Sequence, residues 1–425
     1  MNVFALVSHV KPVCASGTIY IRADGSIDPP TAPISSIDNN TYTFTGNIYE
    51  SIVIQKDNIV LEGSGYTLQG SGSGKGIDLT STYNVTMKNA NITGFYYGVY
   101  LYNSSNDAVL SNNMTENGWA GVALDYSSNN VISMNNMVAN NYGIDLNHSF
   151  NNTISENEIE RSEGMYATGI RVATSNDINI NGNNITANNN DGIWLLYSSN
   201  NIIIGNNITA NKHDGVNLDY STSNSIIGNN ITANGVYGVL LNDISSNNVV
   251  SGNNITASGV CGIGVPSSSN YNSIMGNSIT NNDWGIWLGG SSNNSIYYND
   301  FVNNRLQVYL YNLGVNAWNN TCEGNYWSDY SGTDSNGDGI GDTPYIIDSN
   351  NVDHCPLTNP YWSPADINHD LKVNLKDVYA TAKAYGSAPG DAKWNPHCDI
   401  IADAIIDLKD YYAVCKSFGQ SYSGS

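Results

Sequence analysis

Apolar positions along this chain come in short runs, three to a unit. One unit reads Ile193-Trp194-Leu195-Leu196, then Ile202-Ile203-Ile204, then Ile208-Thr209-Ala210, and the next begins at Val216-Asn217-Leu218. Within a run the buried-type residues alternate, the spacing of a strand with one covered face. Asn, Ser, Asp and Gly separate the runs, residues that accept left-handed backbone at corners. Each unit opens with Gly, then Ile or Val, any residue, then Leu or Val. That Gly recurs as Gly76, Gly98, Gly121, Gly143, Gly169, Gly192, Gly215, Gly238, Gly262 and Gly285, at intervals of 22 to 26 residues. A fixed period means stacked units. The units are poor in Ala, Glu and Lys, which disfavours the helical segment that a leucine-rich repeat needs. Three strands and three corners per unit predict an all-β, right-handed parallel β-helix of three strands and about 23 residues per coil.

The polar corners support the same fold. One Asn column runs Asn112, Asn135, Asn157, Asn183, Asn206, Asn229, Asn253, Asn277, Asn299, and a second runs Asn130, Asn152, Asp177, Asn201, Asn224, Asn248, Asn272, Asn294. Stacked at a corner, each amide can bond the amides above and below, as in cross-β ladders. Ile, Val, Leu and Met then stack as a continuous interior column. At about 4.8 Å per coil, ten coils make a rod of about 50 Å.

Charge narrows the partners. The formal net charge is −22, from 37 acidic and 15 basic residues. That argues against nucleic acid and anionic membrane, and suits cation binding. No apolar run is long enough to span a bilayer. Residues 1–16, with Phe4-Ala5-Leu6-Val7 and Val13-Cys14-Ala15-Ser16, read as the remnant of a secretory signal, and an extracellular or cell-surface location follows. Residues 17–50 are expected to cap the rod, 51–325 to form it, 326–363 to be an acidic segment and linker, and 364–425 a separate module. In an oxidising compartment Cys322 could pair with Cys355 and Cys398 with Cys415; Cys261 reads as buried filler. Sequons such as Asn84, Asn147, Asn184, Asn207, Asn230 and Asn254 follow from Asn at corners and Thr in strands, so glycan is expected on a minority, outside the stacked columns.

Three acidic loops carry ligand spacing for Ca²⁺, a hard cation that takes oxygen ligands. Asp334, Asn336, Asp338 and Asp342 fill positions 1, 3, 5 and 9 of a calcium loop with Gly339 at the turn, but Tyr345 stands at position 12. Asp366, Asn368, Asp370, Asn374 and Asp377 fill positions 1, 3, 5, 9 and 12 of a second, with the Lys372 carbonyl at position 7. Asp399, Asp403, Asp407 and Asp410 do so in a third, where Ile401 replaces one ligand. Helical patterning follows the last two loops, at 378–385 and 411–415, and each ends near a Gly, Gly386 and Gly419.

The Asn-rich coils followed by Asn325-Tyr326-Trp327-Ser328-Asp329-Tyr330 and Asp338-Gly339-Ile340-Gly341-Asp342-Thr343-Pro344-Tyr345 resemble the right-handed β-helix family of NosD-like and carbohydrate-binding/sugar-hydrolase (CASH) domains, built of PbH1 repeats and found in many archaeal surface proteins. The resemblance covers about residues 50–350 and implies fold more sharply than function, since the family includes a copper-accessory protein, surface proteins and sugar-active enzymes. The duplicated loop-helix unit resembles a type I dockerin, which implies calcium-dependent docking to a cohesin-like partner. Both loops depart from that pattern, with Leu371 and Ala404 where the turn Gly stands.

Candidate ligand residues come from the register. The side chain two after each column Gly is predicted to face solvent: Asp78, Tyr100, Ala123, Asp145, Arg171, Trp194, Asn217, Leu240, Gly264 and Trp287. The residue before it gives Tyr97, Tyr142, Asp191, Asp214, Tyr237 and Trp284. Aromatic faces stack on sugar C–H faces, and Asp and Asn take hydroxyls, so Tyr100, Tyr142, Asp145, Trp194, Asn217, Trp284 and Trp287 are the candidate platform for a polysaccharide or surface glycan. A glycosidase needs two carboxyls about 5–9.5 Å apart; Asp191 and Asp214 on adjacent coils, with Arg171 beside them, are the candidates. No compact Lys/Arg/Asp cluster suits a lyase. His148 and His213 read as lone surface histidines, and no His/Met/Cys cluster supports copper. The leading reading is a secreted glycan-binding rod tethered through a calcium-dependent module; a polysaccharide hydrolase or lyase comes second, a copper-accessory protein third.

Overall fold

The structure is a computed structural model that describes residues 17–164, 167–312, 314–320, 323–361, 367, 373–388, 391, 393–395, 398, 400 and 405–416. The expected signal remnant, Cys322 and much of the two tail loops lie outside the described residues.

The rod has about 12 turns of right-handed-type β-solenoid with about 23 residues per coil. Three sheets of 14, 13 and 12 strands run its length, parallel except for an antiparallel pair at the N-terminal edge of the first two. One coil places Ile193–Leu196 in the first sheet, Ile202–Ile204 in the second and Asn207–Thr209 in the third. The next coil stacks in register, Ile193 on Val216, Ile203 on Ile226 and Ile208 on Ile231. The inward residues form one continuous apolar core from Ile19 to Trp327. Each strand is too short to be stable alone; the stack supplies the burial.

Most corners are built the same way, a left-handed residue followed by a buried polar one. Asn200 (φ 59°) precedes Asn201, Gly205 (φ 63°) precedes Asn206, Ala210 (φ 55°) precedes Asn211 and Tyr197 (φ 50°) precedes Ser198. The left-handed residue turns the chain, and the side chain behind it collects the backbone groups that the turn strands. Asn206 shows the pattern: its Oδ1 accepts from the backbone N–H and Nδ2 of Asn183, while its Nδ2 donates to Asn229 Oδ1 and to the Ile180 and Ile204 carbonyls. Asn206 and Asn229 are therefore vertical neighbours, as the repeat implied.

Among the described residues there are four such columns, not two. A Ser column includes Ser127, Ser149, Ser175, Ser198 and Ser221, each backbone N–H donating to the next Oγ. A further column runs Asn188, Asn211, Asn234. Asp177 does not belong to the second Asn column. It is an exposed left-handed corner residue (φ 58°), and buried Ile178 takes the slot, its N–H donating to Asn201 Oδ1 at 2.9 Å. The column Gly is required by close approach. A Cβ on Gly192 would lie 2.6 Å from Ile208 Cγ2 and 2.7 Å from the Gly215 carbonyl oxygen.

The two ends differ. Ile19–Ile21 pairs parallel with Ile52–Ile54, so the N-terminal segment already lies in the first sheet. At the other end Asn325 finishes its column, and the buried Asp353 carboxylate accepts from the Asn325 N–H and Trp327 Nε1. Phe301, Trp327 and Tyr345 stack at 4.5 and 4.3 Å over the last coil. The Asn325-Tyr326-Trp327 motif is thus part of a lid on the core. In the tail, helices Leu375–Ala384 and Leu408–Lys416 share a small core of Ile367, Val373, Ala384, Cys398, Ile406 and Val414. Cys398 is buried and Cys415 exposed, both as free thiols, so the two are not bridged.

Candidate functional site

The outer face of the first sheet carries the chemistry. The residue two after each column Gly does point outward, but the face is crowded. Asp145, Asn217 and Leu240 are only 7%, 9% and 7% exposed. Tyr142, expected on an open platform, is 5% exposed and packs with Ala120 and Ala123 against Tyr97, Tyr100 and Trp119. The reason is geometric: side chains on adjacent coils stand one strand spacing apart, so large rings lie down on their neighbours. Burial accordingly raises the Tyr97 phenol to about 12 and raises Tyr142 as well.

This packing builds a floor with fixed polar groups. Arg171 Nη1 meets Asp145 Oδ1 at 2.7 Å, and Asp145 Oδ2 accepts from Trp119 Nε1 at 2.8 Å. The Arg171 guanidinium lies 5.8 Å from the Tyr142 ring and 5.6 Å from the Trp194 ring. Trp194 in turn donates through Nε1 to Asp219 Oδ2 at 2.7 Å. Further along, Tyr237 and Trp287 stack at 5.8 Å across Gly264, and Trp284 stacks on Tyr309 at 4.2 Å.

The exposed rings sit one step away, at the corner that follows the strand. Tyr126, His148, Thr174, Tyr197 and Tyr220 are the left-handed residues five after successive column glycines. Tyr197 and Tyr220 are 56% and 43% exposed and stack at 4.8 Å with planes 15° apart. Tyr126 stacks on His148 at 4.9 Å. The outward-strand reading missed these residues; counting five from each column Gly would have exposed the row.

Asp191 and Asp214 do come together, with a third partner that the sequence reading set aside. His213 Nδ1 lies 3.0 Å from Asp191 Oδ1 and 3.1 Å from Asp214 Oδ2, so His213 is not a lone histidine. Asp191 Oδ1 also accepts the Asp214 N–H, its Oδ2 accepts from Asn217 Nδ2 at 3.3 Å, and Asp214 Oδ1 accepts the Tyr237 N–H. Both carboxylates are buried, at 2% and 0% exposed, whereas the His213 ring is about half open. The Asp191 and then the Asp214 carboxylate push the His213 pKa up to about 10, and burial raises Asp214 to about 6 against the lowering effect of His213. Asp191, His213 and Asp214 form, among the described residues, the one group of three His, Cys, Asp or Glu ligand atoms within 4.8 Å of one another. Arg171 is not in contact with them; its partner is Asp145.

The model of a family described as periplasmic copper-binding protein (NosD) matches residues 20–226, 161–275 and 212–332, overlapping stretches that together take in most of the chain. The chain belongs to the NosD family. A stretch of 61 residues is 44% identical to the probable ABC transporter binding protein NosD of Stutzerimonas stutzeri, and 43% identical over the same length to that of Pseudomonas aeruginosa, covering 14% of each chain in both cases. The chain thus matches about 14% of the length of these curated relatives. Among solved structures it is similar to the Dettilon tailspike protein (TM-score 0.48, 17% identity, 61% of this chain and 62% of that one) and to the periplasmic alginate epimerase AlgG (0.46, 16%, 69% and 84%).

The metal in the NosD description can be tested against these side chains. Copper(I) prefers sulfur ligands. Met87, Met114 and Met137 are sealed in the core and Cys261 is buried with its Sγ on the Ile263 carbonyl, whereas Met134 and Cys415 are exposed. The ligand atoms that do converge are an imidazole nitrogen and two carboxylate oxygens, a set that fits a divalent transition ion.

The acidic loop at 334–342 spends its carboxylates on its own backbone. Asp334 accepts from the N–H groups of Gly337, Asp338 and Gly339, and Asp342 Oδ2 from Ser335 and Thr333. Asn336 Nδ2 donates to Asp338 Oδ2. Of the tail ligands, Asp366, Asn368, Asp370, Lys372, Asp399 and Asp403 lie outside the described residues. The rest show matched geometry: the Asn374 N–H donates to Asp377 Oδ2 and the Asp407 N–H to Asp410 Oδ2, both at 2.8 Å, at the starts of the two helices.

Proposed function

We propose that this NosD-family rod works outside the cytoplasm as a glycan-binding protein, with the polysaccharide lying along the outer face of the first sheet. The observation that carries this reading is the exposed Tyr197–Tyr220 stack beside the floor of Trp194, Asp219, Arg171 and Asp145. Rigid rings at an open corner offer apolar area to sugar C–H faces at low entropic cost. The Asp219 carboxylate next to them, fixed by Trp194 Nε1, holds an acceptor for hydroxyls. No helix among the described residues is long and apolar enough to cross a membrane. The tail, with its duplicated helix starts, serves as the calcium-dependent tether to a cohesin-like partner. A glycan array with product analysis tests the main claim. Retention of one glycan class without products supports it; no retention refutes it; retention with cleavage assigns catalysis to the same face.

A further inference from the structure

The Asp191–His213–Asp214 cluster poses an electrostatic problem as it stands. The single proton on His213 Nδ1 can align with one carboxylate, and Asp191 takes it at 3.0 Å. Asp214 Oδ2 lies 3.1 Å from the same nitrogen, yet it is buried and makes no aligned hydrogen bond. The Asn217 side chain donates its Nδ2 to Asp191, which seats this amide against the cluster. Its Oδ1 is also buried without a hydrogen-bond partner, in a residue only 9% exposed. Asn217 Oδ1 without a donor, and Asp214 Oδ2 with only its unaligned ion pair to His213, are costly, since an unmet buried polar group forfeits its full desolvation penalty. A cation relieves both, because it replaces one proton with several bonds.

We infer that Asp191 Oδ1, His213 Nδ1 and Asp214 Oδ2, with Asn217 Oδ1 beside them, form a binding site for a divalent transition-metal ion, copper(II) or zinc. Nitrogen–oxygen separations of 3.0 and 3.1 Å match neighbouring ligands on an ion with bonds of about 2.1 Å. The charges balance: two carboxylates and a neutral imidazole offset the dication, and the Nδ1 proton leaves to solvent as the ion enters. One nitrogen and otherwise oxygen donors favour copper(II) over zinc by the usual affinity order and do not suit copper(I). Calcium is disfavoured, because it takes oxygen rather than imidazole ligands. The site uses no residue of the tyrosine corner and holds whether or not that corner binds sugar.

The test is calorimetric titration of the full chain, preloaded with calcium to fill any tail loops, with copper(II) and with zinc, together with electron paramagnetic resonance of the copper(II) form. One ion per chain is expected, with proton release, a resonance pattern of a single equatorial nitrogen, and tighter copper than zinc. His213→Gln and Asp214→Asn should each weaken binding at least 100-fold, while His148→Gln leaves it unchanged. Thermal melts of the metal-free variants check that they are folded. Should Asp214→Asn fail to fold, the nitrogen pattern of the wild-type complex and its loss in His213→Gln still decide the matter. Absence of a stoichiometric ion in the wild type, or binding equally tight in folded His213→Gln, overturns the assignment.

Discussion

Truncating one member of a buried amide column should damage the rod far more than truncating its exposed neighbour. Asn206 and Asn207 are adjacent in the chain and both bond along the stack. The Asn206 side chain makes five hydrogen bonds, including acceptance of the Asn183 N–H at 2.9 Å and donation to Asn229 Oδ1 at 3.0 Å. It is 1% exposed, so water cannot replace those bonds. Asn206→Ala orphans the Asn183 N–H, costing about 1–3 kcal/mol, and removes further bonds worth about 1 kcal/mol each, for a total of about 3–5 kcal/mol. Asn207 lies on the outer surface, where its Nδ2 donates to Asn184 and its Oδ1 accepts from Asn230. Water can take over there, and Asn207→Ala should cost about 1 kcal/mol or less. Stability is measured by urea unfolding, and local opening by hydrogen exchange of the Asn183 amide, since stacked coils can open locally before they unfold. Two substitutions within about 1 kcal/mol of each other, with Asn183 protection unchanged, would refute the reasoning.

Other outcomes follow from the same geometry. Gly215→Ala puts a Cβ 2.6 Å from both the Gly238 carbonyl oxygen and Ile231 Cγ2, and should cost about 3 kcal/mol or more in thermal unfolding; Gly205→Ala, with open space but φ 63°, should cost only about 1 kcal/mol. Asp107 holds a column position that is Asn in the coils above it, and burial raises its carboxyl to about 6. A folded pKa above the unfolded value contributes stability below the unfolded pKa that is lost as pH rises through the folded one. Asp107→Asn should therefore stabilise the rod by about 1–3 kcal/mol at pH 7 and by little at pH 4, read from melts across that range. In the tail, EDTA should lower the melting transition of the two-helix module and leave the rod's transition in place; a tail indifferent to EDTA removes the calcium proposal.

The coil was legible because its period is enforced at many positions at once, by Gly at the close approach, by alternating Ile and by Asn at the corners. The Ser column and the column through Asn211 were harder to see, because Ser and Asn also serve as ordinary turn residues. Asp177 was misplaced because it is the polar residue at that corner, whereas the buried slot, nine after Gly169 as Asn201 is nine after Gly192, holds the apolar Ile178. The pairing of Asp191 with Asp214 followed from register alone. His213 escaped notice because its role depends on its side chain folding back over the preceding coil, a three-dimensional fact with no periodic trace. The outward strand residues were read as open, although alternation says only which way a side chain points. Crowding by Trp119, Tyr97 and Tyr100 decides how much of it meets solvent.

The claim that the first sheet's corner and outer face form the ligand surface is tested most directly by binding isotherms. Wild-type protein and Tyr197→Ala/Tyr220→Ala should be titrated with the oligosaccharide that the array retains. Both rings are exposed, so the double variant should melt like the wild type, and its affinity should fall at least tenfold, about 1.4 kcal/mol. An unchanged isotherm in the folded double variant would contradict the account and move the ligand to another face.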